Sequence, residues 1–275
     1  MIQEIITIIQ LSLLELLAFA GPILMIGLLL GYMERLSNHY LQQSFGVNAI
    51  LLTAWIGVPV HETGHLLMCW LFKHKIKKVK LLDLKASDGT LGYVQHSYRR
   101  GSIYQNMGNF FIGIGPILSG NIVLIGSMYI LVPGLFTSFS GQLSDFTANS
   151  LIEPSIINSA AGLLTGIATS LLDPANLANI KFWIYIFLAL GVSAHIALSR
   201  EDLKGAAKGL PVIFIILLAA NITFLVYADA PNAVGEILRY NIYLLAFSML
   251  SILFSGANLL LSYFAWSLKR RSSIR

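Results

Sequence analysis

An all-α polytopic membrane protein is the fold class this sequence predicts, and three observations carry it. Of 275 residues, 56% are hydrophobic and only 11% are charged. Mean hydropathy is +0.74. Apolar runs of bilayer length recur along the chain, at 8–32, 46–72, 103–132, 178–199, 210–228 and 237–268. These give six expected transmembrane helices in a single membrane domain, 1–275, and exclude a soluble domain.

Orientation follows from Lys and Arg. The segment after the second run carries Lys73, Lys75, Lys77, Lys78, Lys80, Lys85, Arg99 and Arg100. The segment after the fourth carries Arg200, Lys204 and Lys208, and the tail carries Lys269, Arg270, Arg271 and Arg275. Only Arg35, Lys181 and Arg239 fall on the other side. The positive-inside rule then puts both termini in the cytoplasm of a multi-pass protein of the cell membrane, and an even number of crossings agrees. Net charge of +5 is this topology signal, so the expected partner is the lipid bilayer and no nucleic acid.

The first run lacks a basic leader and is long enough to remain as a span rather than a cleaved signal peptide. It contains Glu15 and a Gly21-Pro22 pair expected to kink it. Residues 33–43 read as a short external loop holding His39.

The second run contains VPVHETGHLLMCW, residues 58–70. Ionisable side chains within a span are expensive and functional by default. Residues four apart share one helix face about 6 Å apart along the axis, so His61 and His65 can offer two ring nitrogens to one tetrahedral metal. Glu62 stands beside them to accept a proton from metal-activated water, the H-E-x-x-H pattern of zinc hydrolases. Cys69, the single cysteine, forms no internal disulfide and lies too far along the helix to join the same ion.

Residues 79–98, VKLLDLKASDGTLGYVQHSY, show two β-prone stretches around Ser87-Asp88-Gly89, a hairpin-turn signal. A small cytoplasmic hairpin beside the metal could take an extended substrate as an added strand. His74 and His96 flank it and read as solvated loop residues.

In the third run, GNFFIGIGPILSGN, small residues at 108, 113, 115, 119 and 120 allow close helix approach. Pro116 weakens the helix locally, and Asn109 and Asn121 supply amides for interhelical bonding. Near a metal, Asn121 could instead hold a substrate backbone or stabilise an oxyanion. Residues 133–179 read as an external loop, with 156–172 suited to an interfacial or re-entrant helix.

Two His need a third protein ligand. His195 and Asp202, at the turn between the fourth and fifth runs, compete on position. Ser199-Arg-Glu-Asp202 also has the form of a helix N-cap, an alternative use for that carboxylate.

At this point the chain resembles the site-2 protease family of intramembrane zinc metalloproteases. HETGH (61–65), GPILSGN (115–121) and SREDLKG (199–205) occur in the family's order, within a core of 46–209. The third departs from the family pattern, since Leu-Lys separates Asp202 from Gly205. The resemblance implies His61, His65 and Asp202 as zinc ligands and Glu62 as the catalytic base. The expected activity is hydrolysis of a transmembrane or membrane-proximal segment of a membrane-protein or peptide substrate, with Asn121 assisting catalysis. A zinc-binding membrane scaffold that holds transmembrane helices without cutting them is the alternative, and the intact Glu62 argues against it.

Overall fold

Few helix breakers interrupt the apolar runs, and long helices result. The computed structural model describes residues 2–84, 90–150, 156–227 and 233–272. Helix α1 spans Ile2–Phe45, and a 3-10 turn at Val47–Ile50 leads into α2, Leu51–Leu71. Strands β1 (Lys75–Lys80) and β2 (Tyr93–Ser97) come next, followed by α3, Ile103–Leu131. Then come α4 (Pro133–Ser150), α5 (Ile156–Leu171), the short α6 (Pro174–Leu177), α7 (Ile180–Ser193), α8 (Arg200–Tyr227) and α9 (Ala233–Ser272).

Four of these helices are long and apolar enough to cross a membrane: Ile2–Phe45, Ile103–Leu131, Arg200–Thr223 and Tyr240–Ser272. That is fewer than the six expected. The motif helix α2 dilutes its hydropathy with His61, Thr63, Glu62 and His65, and α7 has only 14 residues. At 1.5 Å per residue α7 reaches about 21 Å, short of a hydrocarbon core of about 30 Å.

Residues 33–43, expected as a loop, are the last turns of α1. Polarity had marked them as a loop, yet nothing there breaks a helix until Gly46, whose φ of +83° only glycine adopts freely. His39 accordingly lies on a helix, paired with Gln43 at 3.0 Å.

Helix directions follow from paired contacts. Ser119 donates to the Val60 carbonyl at 2.9 Å and Tyr104 to the Leu71 carbonyl at 2.8 Å, so α2 and α3 are antiparallel. The Phe19 ring packs on Phe110 at 5.5 Å, and Gly27 lies beside Ile117, making α1 and α3 parallel. Asn241 donates to the Ala18 carbonyl, Ser37 to Asn258 at 3.4 Å, and Lys269 to Ser44 at 2.6 Å. Those contacts advance together, so α1 and α9 run parallel and place Ile2 and Ser272 at opposite ends of the pair. The sequence reading had both termini on one face. Gly113 abuts Asp202 and Gly209 abuts Phe110, which sets α8 antiparallel to α3. Between α7 and α8, residues 194–199 form a non-helical link of which 195–198 are buried among the other helices.

The packing is inverted relative to a water-soluble bundle. Large apolar side chains such as Met25, Ile122, Ile130 and Leu260 are exposed, while Ser12, Glu15, Asn121, Ser248 and Ser251 are buried. Where lipid is as apolar as leucine, interhelical hydrogen bonds and small-residue contacts supply the specificity. Glu15 thus accepts from Asn221 at 2.7 Å between α1 and α8. Asn121 donates to Ser248 at 3.0 Å and accepts from Ser251 at 2.6 Å, joining α3 to α9.

Segment 133–179 is mostly helical. Leu163 and Ile167 of α5 share a core with Phe139 and Phe146 of α4, so the helix expected at 156–172 exists and packs on its neighbour. Strands β1 and β2 pair antiparallel, with a bulge at Lys77 between the Ile76↔His96 and Lys78↔Gln95 pairs. The Ser87-Asp88-Gly89 turn expected for residues 79–98 lies outside the described residues.

Candidate metal centre

Helix α2 carries His61 and His65 on one face, and α8 begins opposite them. Their Nε2 atoms are 3.2 Å apart. Asp202 Oδ1 is 3.1 Å from His65 Nε2 and Oδ2 is 3.5 Å from His61 Nε2. Among the described residues this is the group of three or more His, Cys, Asp or Glu that could hold a metal, with ligand atoms all within 4.8 Å.

Tautomers show why the group fits a cation. His61 Nδ1 bonds the His195 carbonyl at 2.8 Å and His65 Nδ1 bonds the Ile112 carbonyl at 2.7 Å. A carbonyl only accepts, so both Nδ1 atoms carry the hydrogen, and the rings in their neutral form point Nε2 lone pairs at each other. Two lone pairs and a carboxylate facing one another lack a positive partner. With Zn–N bonds of about 2.05 Å, the edges of a tetrahedral site are about 3.3 Å, close to the three separations here.

Backbone chemistry aims the ligands. Pro116 has no N–H, and the carbonyl it leaves without a helical partner, four residues back, is that of Ile112. His65 takes up that carbonyl. The His195 carbonyl is available because α7 has ended and α8 has not begun. Asp202 is held by a reciprocal capping box: the Ser199 N–H donates to Asp202 Oδ2 at 2.7 Å, and the Asp202 N–H donates to Ser199 Oγ at 3.1 Å. Cap and candidate ligand are therefore the same carboxylate. Close helix approach completes the site, since a Cβ on Gly64 would sit 2.5 Å from the Gly115 carbonyl.

His195, the competing third ligand, contributes its carbonyl instead. Its Nε2 is 3.0 Å from Thr53 Oγ1 and its Nδ1 is 3.7 Å from Glu34 Oε1. Nor does Asn121 join the cluster, because both ends of its amide bond α9 and it lines neither cavity described below. Asn109, read as an interhelical amide, does line the triad's cavity.

Glu62 is buried and stands between two cavities of about 780 and 770 Å³ that both reach it and His61. One runs along α1 past Glu34, Arg35 and Asn38, a contribution that the loop reading of 33–43 hid. The other is walled by the triad, by Val94, His96 and Tyr98, and by Asn109. No protein-family model, curated protein or solved structure matches the chain.

Proposed function

We propose that this protein is an intramembrane zinc metalloprotease similar to the site-2 protease family. The observation that carries the reading is the convergence of two Nε2 lone pairs and one carboxylate beside a buried glutamate, at a depth where apolar helices surround them. His61, His65 and Asp202 would hold the ion, a nitrogen and oxygen donor set suited to zinc. Zinc there supplies Lewis-acid activation of water and of the scissile carbonyl. Glu62 takes the proton from the attacking water and returns it to the departing amide nitrogen. A helical substrate must first unwind, because its carbonyls are otherwise bonded within the helix, and the β2 edge offers replacement bonds. Water has a polar route along the α1 cavity. In this reading α2 crosses beside the four apolar helices, and α7 with α8 forms one broken passage. Irregular backbone at membrane depth is tolerated where it lines such cavities.

The test is paired. Zinc per chain is measured in wild type and Asp202→Ala, and cleavage of fluorescein-labelled β-casein in detergent is compared between wild type and Glu62→Gln. About one zinc in wild type, its loss in Asp202→Ala, and cleavage abolished in Glu62→Gln support the reading. Zinc without any cleavage moves the assignment to a non-proteolytic scaffold.

A further inference from the structure

His74 and His96 lie outside the triad, and a loop reading makes them solvated. The structure instead buries His74 and joins the two rings, Nδ1 to Nδ1 at 2.9 Å. A Schellman turn at the end of α2 delivers His74: its N–H reaches the Cys69 carbonyl at 2.8 Å and the Lys73 N–H reaches the Trp70 carbonyl at 3.1 Å. The His74 ring then stacks on Tyr98 at 5.1 Å.

The proton positions are fixed by acceptors that have no alternative. His74 Nε2 bonds the Gln105 carbonyl at 2.8 Å, so that nitrogen holds the hydrogen and His74 Nδ1 is a lone pair. His96 Nδ1 must therefore donate to it. What remains on a neutral His96 is an unprotonated Nε2. Burial lowers the pKa of both rings, that of His96 to about 4, so both are neutral at pH 7.

His96 Nε2 has no protein partner among the described residues, and the buried atoms left unpartnered there are only Gln142 Oε1 and Tyr185 OH. It therefore meets open space, and the space His96 lines is the triad's cavity. Tyr93, Val94 and His96 of β2 and Tyr98 just beyond it line that cavity, and the bulge at Lys77 falls opposite the His96–Gln95 step. Bulges re-aim side chains beside sites of chemistry.

We propose that His96 is a substrate-positioning residue whose Nε2 accepts a hydrogen bond from an N–H of the polypeptide lying in the triad's cavity. The proposal rests on the protease reading for the identity of that polypeptide. His74 and the Gln105 carbonyl act through His96 by holding it in the accepting tautomer.

The experiment combines KM and kcat for β-casein in the wild-type background with binding of the same labelled β-casein in the Glu62→Gln background. His96→Phe removes the acceptor and keeps a ring, whereas His96→Gln restores an acceptor near the Nε2 position. Expected for His96→Phe is a rise of about tenfold in KM and in Kd, the worth of one hydrogen bond, with kcat changed less. Zinc content stays at the wild-type value, thermal unfolding falls modestly in His96→Phe because the buried His74 Nδ1 loses its donor, and His96→Gln recovers most of the loss in KM and Kd. Cleavage by wild type with unchanged KM and Kd in His96→Phe overturns this inference and leaves the protease reading standing. Binding that depends on His96 without cleavage does the reverse. If β-casein is neither bound nor cut, both fall.

Discussion

Pro116 shows how a single residue's missing hydrogen becomes a site feature. The sequence marks it as a weak point in α3, but the helix continues to Leu131, and the effect is on hydrogen bonding: the Ile112 carbonyl is free to orient His65. Pro22 repeats the device, since the carbonyl four residues earlier, Ala18, takes up Asn241 of α9. Pro116→Ala returns an N–H that competes for the Ile112 carbonyl. Zinc affinity should fall by about tenfold, the lower range for losing an outer-shell partner, while helix content is retained. Competition with a chelator of known affinity measures it, and an unchanged Kd removes Pro116 from the site's support. His61, Glu62 and His65 were legible because their spacing acts within one helix. The Pro116 effect was not, since the histidine and the carbonyl it uses are 47 residues apart.

At the scale of elements, the start of α8 holds one carboxylate that caps the helix and also faces the two histidines. The Ser-x-x-Asp pattern was readable as a cap, and capping does not withdraw the carboxylate from the histidines: the Ser199 N–H holds Oδ2 while Oδ1 lies 3.1 Å from His65 Nε2. Ser199→Ala removes the hydroxyl that caps the Asp202 N–H and should cost about 1 kcal/mol in unfolding by denaturant titration, with weaker zinc retention alongside. Full retention of both would separate the cap from the site. The small sheet has its own sensitivity, through His74 and His96. Around them are the Gln105 carbonyl, Tyr98, His65 and Lys208, and no carboxylate is among the causes of either shift. Both rings titrate below the ordinary 6.5, so the folded sheet binds fewer protons than the detached one. Its anchoring is complete above that pH and weakens as pH falls from 6.5 towards about 4. Deuterium uptake in β1 and β2, corrected for intrinsic rates, should rise over that window and depend less steeply on pH in His74→Phe, where one of the two titrating rings is gone. A paired β2 was legible from its β-prone run, whereas β1, Lys75–Lys80, lies mostly before the expected 79–98; the histidine pair was not legible, because only the bulged register brings 74 and 96 together.

For the whole molecule, hydropathy located the apolar helices but misjudged how they are threaded. Hydropathy reports which surface meets lipid, and it says nothing about where a helix ends or which neighbour it runs beside. Treating polar residues 33–43 as a loop, and the α7–α8 link as a cytoplasmic turn, gave an even number of crossings. Parallel packing of α1 and α9 sets Ile2 and Ser272 at opposite ends of that pair, which under the proposed reading, with α7 and α8 as one broken passage, corresponds to an odd number of crossings. Charge then gives a testable expectation for orientation. The sheet face, at the α1 N-terminal end, carries Lys73, Lys75, Lys77, Lys78, Lys80, Arg99 and Arg100, whereas the far end of α9 carries Lys269, Arg270 and Arg271. The positive-inside rule predicts that the larger cluster faces the cytoplasm. Single cysteines at Gln3→Cys and Ser272→Cys test this, because native Cys69 is buried and should stay silent. A membrane-impermeant maleimide applied to intact cells should label the C-terminal probe and spare the N-terminal one, with the pattern reversed in inside-out vesicles. Labelling of both probes from the same face would break the five-passage threading and restore an even count. The candidate triad, held by α2, α3, α8 and the His195 carbonyl of the 194–199 link, would survive that revision.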